Sequence, residues 1–304
     1  MAVISRSQAL KELLPGLNAL FGLEYGKYEN QHTEIYETES SDRSFEEEVK
    51  LSGFNAAPVK QEGATVAYDT AQESFTVRYA HETVAMAFGI TEEAMEDNLY
   101  EKLSSRYTKA MAKSMAYTKQ VKAAAWLNNG FSGSTYLSGD GQNVFDTGHV
   151  TVGGASISNR PTTAVDLNET SLEAAVISIQ AWTDERGLLI AEMPRKLIIP
   201  PALQFVATRL LETEKRVGTA DNDINAIKSN GVIPEGYRVN NFLTDTDAWF
   251  IKTSVTNGFK HFVRIGVQTS NEGDFDTGNF RYKCRERYSF GISDYLAMYG
   301  SPGA

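Results

Sequence analysis

One run of fifteen residues constrains everything else: SFTVRYAHETVAMAF, residues 74–88, which reads as strand with no Gly, no Pro and no turn signal. At about 3.3 Å per residue it would reach roughly 50 Å, against a usual strand of about five or six residues. A compact globule of this length, 304 residues, has a diameter of roughly 50 Å. The run would therefore cross the whole molecule, so either it breaks or the chain is not a closed ball. Its apolar phase also slips. Phe75, Val77 and Tyr79 share one face, whereas Val84, Met86 and Phe88 occupy the other parity. That slip predicts a twist or bulge near His81-Glu82.

The segment in front of the run suggests a hairpin over 51–88. GATVAYD (63–69) reads as one arm, TAQE as the tip, and Ser74 onward as the other arm. Asp69, Gln72, Thr76 and Arg78 give the outer half no evident core side. An isolated hairpin is marginal in water, so this one needs an outside surface.

A second element is as long as the globule. Ile90 to Asn129 contains no Gly or Pro. Thr91 reads as a cap, acids fill the first turns and lysines the second half, which suits the helix dipole. Tyr100, Leu103, Tyr107, Ala110, Ser114, Tyr117, Val121 and Ala124 form the expected buried stripe, flanked by Leu99, Met111 and Met115. No second long helix is evident to pair with it.

Residues 5–21 read as a short amphipathic arm interrupted at Pro15-Gly16, and the acidic stretch 24–50 as a linker or strap that builds no core of its own. Residues 130–165 read as Gly-rich loop with short strands. Thr170…Glu173 reads as a capping box opening a helix with Leu172, Val176, Ile179 and Trp182 inward, stopped at Gly187. RKLIIPP reads as a buried strand running into a helix that carries Leu203, Val206, Leu210 and Leu211. YRVNNFL, AWFIKT, FKHFVRIGVQ and FRYKCRERYSFGI read as strands. Irregular alternation of this kind is α+β.

Chemistry is sparse. The four histidines, His32, His81, His149 and His261, lack metal spacing, and the single cysteine, Cys284, makes a structural zinc site or an intrachain disulfide untenable. DNDINAIKSNG (221–231) fails as a calcium loop at Ala226 and Val232. Asp140 or Asp146 could pair with His149, but no nucleophile stands in a recognisable elbow. No phosphate-binding or dinucleotide fingerprint occurs. The expectation is no catalytic residue, no metal and no cofactor. A formal net charge of −10 argues against bulk capture of nucleic acid. No signal peptide or membrane-length apolar run is evident, which predicts use inside a cell and no membrane partner.

The order of parts resembles the major capsid proteins of tailed bacteriophages, the Hong Kong 97 fold. DGQNVFDTGH, GGASISN, LNETSLEAAV and KLIIPPAL, in that order over 140–203, resemble the head subunit of the Mu-like phage group, with Val150 where that group usually has Pro. The resemblance implies an N-terminal arm (1–50), an extended loop reaching over a neighbouring subunit (51–88), a peripheral domain with a spine helix (89–165), an axial domain (166–254) and peripheral return strands (255–304). It implies a structural subunit that self-assembles as hexamers and pentamers into an icosahedral virion shell. The implied partners are a portal, a separate scaffolding or decoration protein, and weakly held double-stranded DNA. Tyr68, Phe75, Val77, Arg78 and Tyr79 are the expected inter-subunit contacts, and Lys102, Arg106, Lys109 and Lys113 the expected inner-face DNA contacts. The arm is expected to be retained in the mature particle. An encapsulin-like compartment shell, a tail subunit and a β-rich hydrolase are the alternatives.

Overall fold

The computed structural model describes residues 6–91, 93, 100–215, 223–273 and 278–304, with side chains from Gly16 in the first helix and from Ser104 in the long one. The elements in chain order are α1 (Arg6–Lys27), β1 (Glu37–Ser40), β2 (Phe45–Leu51), β3 (Glu73–Ala80), β4 (Glu82–Ile90), α2 (Tyr100–Asn128), β5 (His149–Val150), β6 (Ser156–Ile157), α3 (Glu169–Gln180), β7 (Pro194–Ile199), α4 (Gln204–Glu212), α5 (Ala226–Ser229), β8 (Tyr237–Val239), β9 (Trp249–Thr253), β10 (Phe259–Gly273), β11 (Phe280–Ile292) and β12 (Met298–Ser301). One four-stranded sheet runs β1-β10-β11-β4, a second β12-β9-β7-β8, and β2 pairs with β3 alone. Mixed helix and sheet in this order is the expected α+β class.

The fifteen-residue run breaks at His81, where the phase slips. Before it, β3 pairs antiparallel with β2; after it, β4 pairs antiparallel with β11. His81 is buried, its Nε2 2.9 Å from Ser41 Oγ and its Nδ1 3.0 Å from Ser289 Oγ. The ring thus pins the crossing point between sheets.

The hairpin arms differ from expectation. The partner of β3 is Phe45–Leu51, and GATVAYD is not a strand but part of an open loop. The cause is an inverted strand. In β2 the inward side chains include Glu48 and Lys50, which are charged but partnered, while Val49 and Leu51 face solvent. A reading by apolar alternation passes over such a strand.

The long helix buries Ala124 of the expected stripe and the flanking Met111 and Met115, but the rest of its inward face is rotated from the expected one. Ser104, Thr108, Met111, Ala112, Met115, Ala116, Gln120, Ala123 and Leu127 are buried, whereas Tyr107, Tyr117 and Val121 are about half exposed. Small or hydrogen-bonded polar residues allow close approach here. Gln120 Oε1 accepts the His32 backbone N–H at 3.0 Å, and its Nε2 lies 2.8 Å from His32 Nδ1. The helix does have a helical neighbour: α1 runs unbroken through Pro15-Gly16 and packs Leu17 and Phe21 with Met111, Met115, Phe280, Tyr282 and Cys284. The expected start of the helix at Thr91–Asp97 lies almost wholly outside the described residues.

Residues 24–50 are no solvated linker. Ile35 and Tyr36 enter a central cluster with Leu127, Phe145, Phe250 and Ile292, and β1 joins β10 in parallel. The capping box is Asn168 with Ser171 rather than Thr170 with Glu173, and α3 ends at Gln180. Asn225, read as part of a polar loop, is buried and caps α5; Asp221 of that loop lies outside the described residues. β12 returns to pair with β9, and Tyr295, Leu296 and Tyr299 share a core with α3 and β7. The last residues therefore share the sheet formed by 194–253.

Candidate functional site

The strap formed by β2, β3 and the residues between them carries many exposed large apolar side chains: Val49, Leu51, Phe54, Val59, Val66 and Tyr68. Its stem is fastened by a chain of partnered charges. Lys50 Nζ lies 2.8 Å from Asp294 Oδ1 and 3.3 Å from Glu185 Oε1, over the Tyr295 ring at 4.2 Å. Lys260 binds Glu48 and, at 3.0 Å, Glu39. Burial acts to lower the Lys260 pKa, but hydrogen bonds and attraction from the two glutamates win and hold it above the ordinary lysine value. Ser293 donates to Glu48 and meets the Tyr79 hydroxyl. Burial pushes the Tyr79 phenol well up.

The row Phe75, Val77, Tyr79 has a home in its own chain. Tyr79 is 2% exposed and packs edge-on against Phe262, ring centroids 4.9 Å apart. Phe75 and Val77 are half-buried, and Phe75 lies 6.3 Å from the Tyr295 ring. A Cβ at Gly139 would collide with both Phe75 and Val77. The expectation that the hairpin needs an outside surface is corrected for this row: Phe75 and Val77 lie on the bare backbone of Gly139, which sequence reads only as a turn residue, and Tyr79 lies on Gly291 and Phe262. Arg78 remains exposed on the outer face, near Glu47 at 3.8 Å and stacked on Phe45.

Between the stem strands the loop is open. Its base is clasped by Ser52 to Gln72, by the Asp69 carboxylate accepting the Asn55 N–H at 2.7 Å, and by Arg186 donating to the Thr70 carbonyl at 2.8 Å. Backbone donors from Asn55 and Thr70 hold the Asp69 carboxyl below its usual range. Among the described residues, none from 56 to 68 hydrogen-bonds outside the loop. Val59 is 95% and Tyr68 98% exposed, with Leu51, Phe54 and Val66 also open to solvent. Exposed large apolar residues gathered on one loop make it the candidate interaction surface.

The one pair that suggested catalysis does form. His149 Nδ1 lies 2.6 Å from Asp140 Oδ2. Burial tends to raise the Asp140 carboxyl, but the hydrogen bond and charge of His149 more than offset it. The other ring nitrogen faces Asn159 Oδ1 at 3.2 Å, and the ring stacks on Tyr295 at 4.0 Å. Asn159 in turn donates to the carbonyls of Val144, Tyr295 and Met298 and accepts the Asp146 N–H. Both ring nitrogens are occupied, so the cluster is a polar knot tying 140–160 to the C-terminal segment. The residues Asp140, Asp146, His149 and Asn159 come from DGQNVFDTGH and GGASISN, the stretches that carried the resemblance.

Elsewhere, Cys284 is fully buried, its thiol pushed up to about 11 by burial, which opposes thiolate chemistry. His32 and His261, 5.1 Å apart, are pushed down to about 4 and about 3, burial being the largest cause and Lys119 also opposing charge on both. Arg106, Lys109 and Lys113 are exposed along one stretch of α2, whereas the Lys102 side chain lies outside those described. Among the described residues no cluster could hold a metal ion, and no helix is long and apolar enough to cross a membrane.

Comparison with known families places this geometry. Residues 72–301 match the family described as phage capsid protein. The chain belongs to the phage capsid protein family. The matched region starts at the foot of β3 and takes in the knot, the whole β12-β9-β7-β8 sheet and three strands of the other, leaving out β1. No curated protein sequence matches the chain. Among solved structures, the capsid of a native GTA particle superposes with a TM-score of 0.55 at 11% identity, covering 88% of this chain and 87% of that one. The capsid of Myoviridae phage XM1 gives 0.53 at 11% identity, covering 89% of each chain. An encapsulin complex from Synechococcus elongatus gives 0.50 at 10% identity over 89% and 86%. At such identities these likenesses establish the shared capsid fold.

Proposed function

We propose that this phage capsid protein is the major head subunit, which self-assembles into the closed shell around a phage genome. One observation carries the reading beyond family membership: the clasped loop 51–72 presents Leu51, Phe54, Val59, Val66 and Tyr68 largely uncovered among the described residues. Burying one large apolar side chain is worth about 1.5–3 kcal/mol, and a repeated lattice multiplies that energy over every copy. Tyr68 and Arg78 are the strap residues that would reach a neighbouring subunit. The shell would be built of hexamers and pentamers, with residues 166–254 and β12 gathered near each capsomer's axis. It would form in the host cytoplasm, with a portal and a separate scaffolding or decoration protein as further partners.

The role is structural. The Asp140–His149 pair supports that reading, because neither ring nitrogen is free to act as a base. Packaged DNA would meet Lys102, Arg106, Lys109 and Lys113 weakly and without sequence preference, because a net charge of −10 keeps the surface from being strongly adhesive. Electron microscopy of the purified protein tests the central statement. Closed, uniform shells are expected; tubes or persistent monomers would overturn it.

A further inference from the structure

A groove of about 660 Å³ lies between α3, the start of β7 and residues 226–232. Its floor and walls include Val176, Ile177, Met193, Ile227 and Val232, and Ile177 stands 66% exposed at its edge. Glu173 lies one helical turn before Ile177 on the same lip of α3. Helix α4 contributes no residue to this groove, yet it carries an equally unusual feature of the opposite shape. Phe205 projects from it with 73% of its surface exposed, beside exposed Pro201 and Ala202, while Ala207 on the other face is buried. Arg209 follows Phe205 by one turn and is exposed. Residues four apart on a helix are neighbours about 6 Å apart. An aromatic followed by a cation one turn later thus faces a groove edged by an aliphatic and an anion at the same spacing. Neither Glu173 nor Arg209 has an ion-pair partner in the chain among the described residues.

We infer that α4 of one copy docks on the α3 groove of the next, with Phe205 against Ile177 and Arg209 against Glu173. The inference rests on the shell-subunit reading and names the contact that joins adjacent copies. The occupant is a second copy because the matching knob and its complementary charge are on this chain, on a helix that does not line the groove. A contact between two different patches is heterologous, and repeated by rotation it closes a ring. Residues outside the strap would then hold neighbours together, with the loop adding a second contact.

Engineered cysteines test the contact directly, because the natural Cys284 is fully buried and silent. Shells of the double variant Ile177→Cys, Phe205→Cys are oxidised, denatured and run without reductant. The expected result is a ladder of covalent multimers ending at a closed ring, while each single variant runs as monomer. Intact shells giving only monomer would overturn the inference and leave the shell reading standing. Dimers without higher species would also overturn it, because they mark a two-fold contact. Absence of shells from the wild-type chain would overturn the shell reading and this inference with it. In parallel, Glu173→Arg and Arg209→Glu should each lower the yield of shells about tenfold, and the pair together should restore it; equal loss in the pair counts against the contact.

Discussion

The stem and the loop of the strap are one continuous piece of chain with opposite fates. In the stem, Glu48 and Lys50 point inward and each has a partner, and Tyr79 is sealed beneath Phe262. In the loop, Val59 and Tyr68 are almost bare. By composition the assignments would be reversed: the charged FEEEVKL looks solvated and the apolar GATVAYD looks like strand. What separates them is the counter-surface. The stem meets Gly139, Ser293 and Lys260 of its own chain; beyond its clasped base, residues 56–68 of the loop make no hydrogen bond to the rest of the described residues.

Substitutions in the stem should therefore appear in the stability of a single subunit. The largest effect is expected at Tyr79→Ala, about 3–5 kcal/mol in denaturant melts, because a buried ring and its hydroxyl bond are both lost. A value under about 1 kcal/mol would mean the stem is only laid on the surface. Lys50→Met should cost about 3 kcal/mol, because it leaves Glu185 and Asp294 without their cation. The measurement is the urea midpoint, and an unchanged midpoint would contradict the account.

Acid sharpens the contrast between core and loop. His32 and His261 titrate below their unfolded value of about 6.5. The unfolded chain thus takes up protons first, so their contribution is present above that value and is lost as pH falls toward 4 and 3. For His32 alone, stability should fall by about 2 kcal/mol between about pH 7 and about pH 5. His32→Gln should flatten that slope; a slope unchanged by the substitution would count against it. The loop clasp at Asp69 should survive this range, because its carboxyl titrates below the usual value. Phe75→Asp comes next, with a loss of about 2 kcal/mol from a half-buried ring, read from the thermal midpoint of unassembled subunit.

Much of the fold was legible because its strands follow simple rules. Residues 280–286 alternate buried and exposed side chains without a fault, and the phase slip at His81 located the crossing between sheets. The helix face was misread because Ser104 and Thr108 are small enough to be buried by close packing and Gln120 is buried through its bonds to His32, which a hydropathy stripe cannot register. β2 was missed because its inward residues are charges whose partners, Asp294, Glu185 and Lys260, lie more than a hundred residues away. The Asp140–His149 pair was found by proximity in sequence, but its role was not. Asn159, which occupies the second ring nitrogen, is distinguished in sequence only by falling within the GGASISN stretch. Phe75 and Val77 seat on Gly139, and Tyr79 on Gly291 and Phe262; the bare backbone of a glycine leaves no apolar signal in the sequence.

The central claim is that the loop serves other copies and the stem serves its own. The most direct measurement is thermal melting and sedimentation on one sample of the triple variant Phe54→Ser, Val66→Ser, Tyr68→Ser. The account predicts subunit melting within about 0.5 kcal/mol of wild type, with shells absent or dissociating on dilution. A subunit that melts early while its shells survive would contradict it, because the loop would then be part of its own fold.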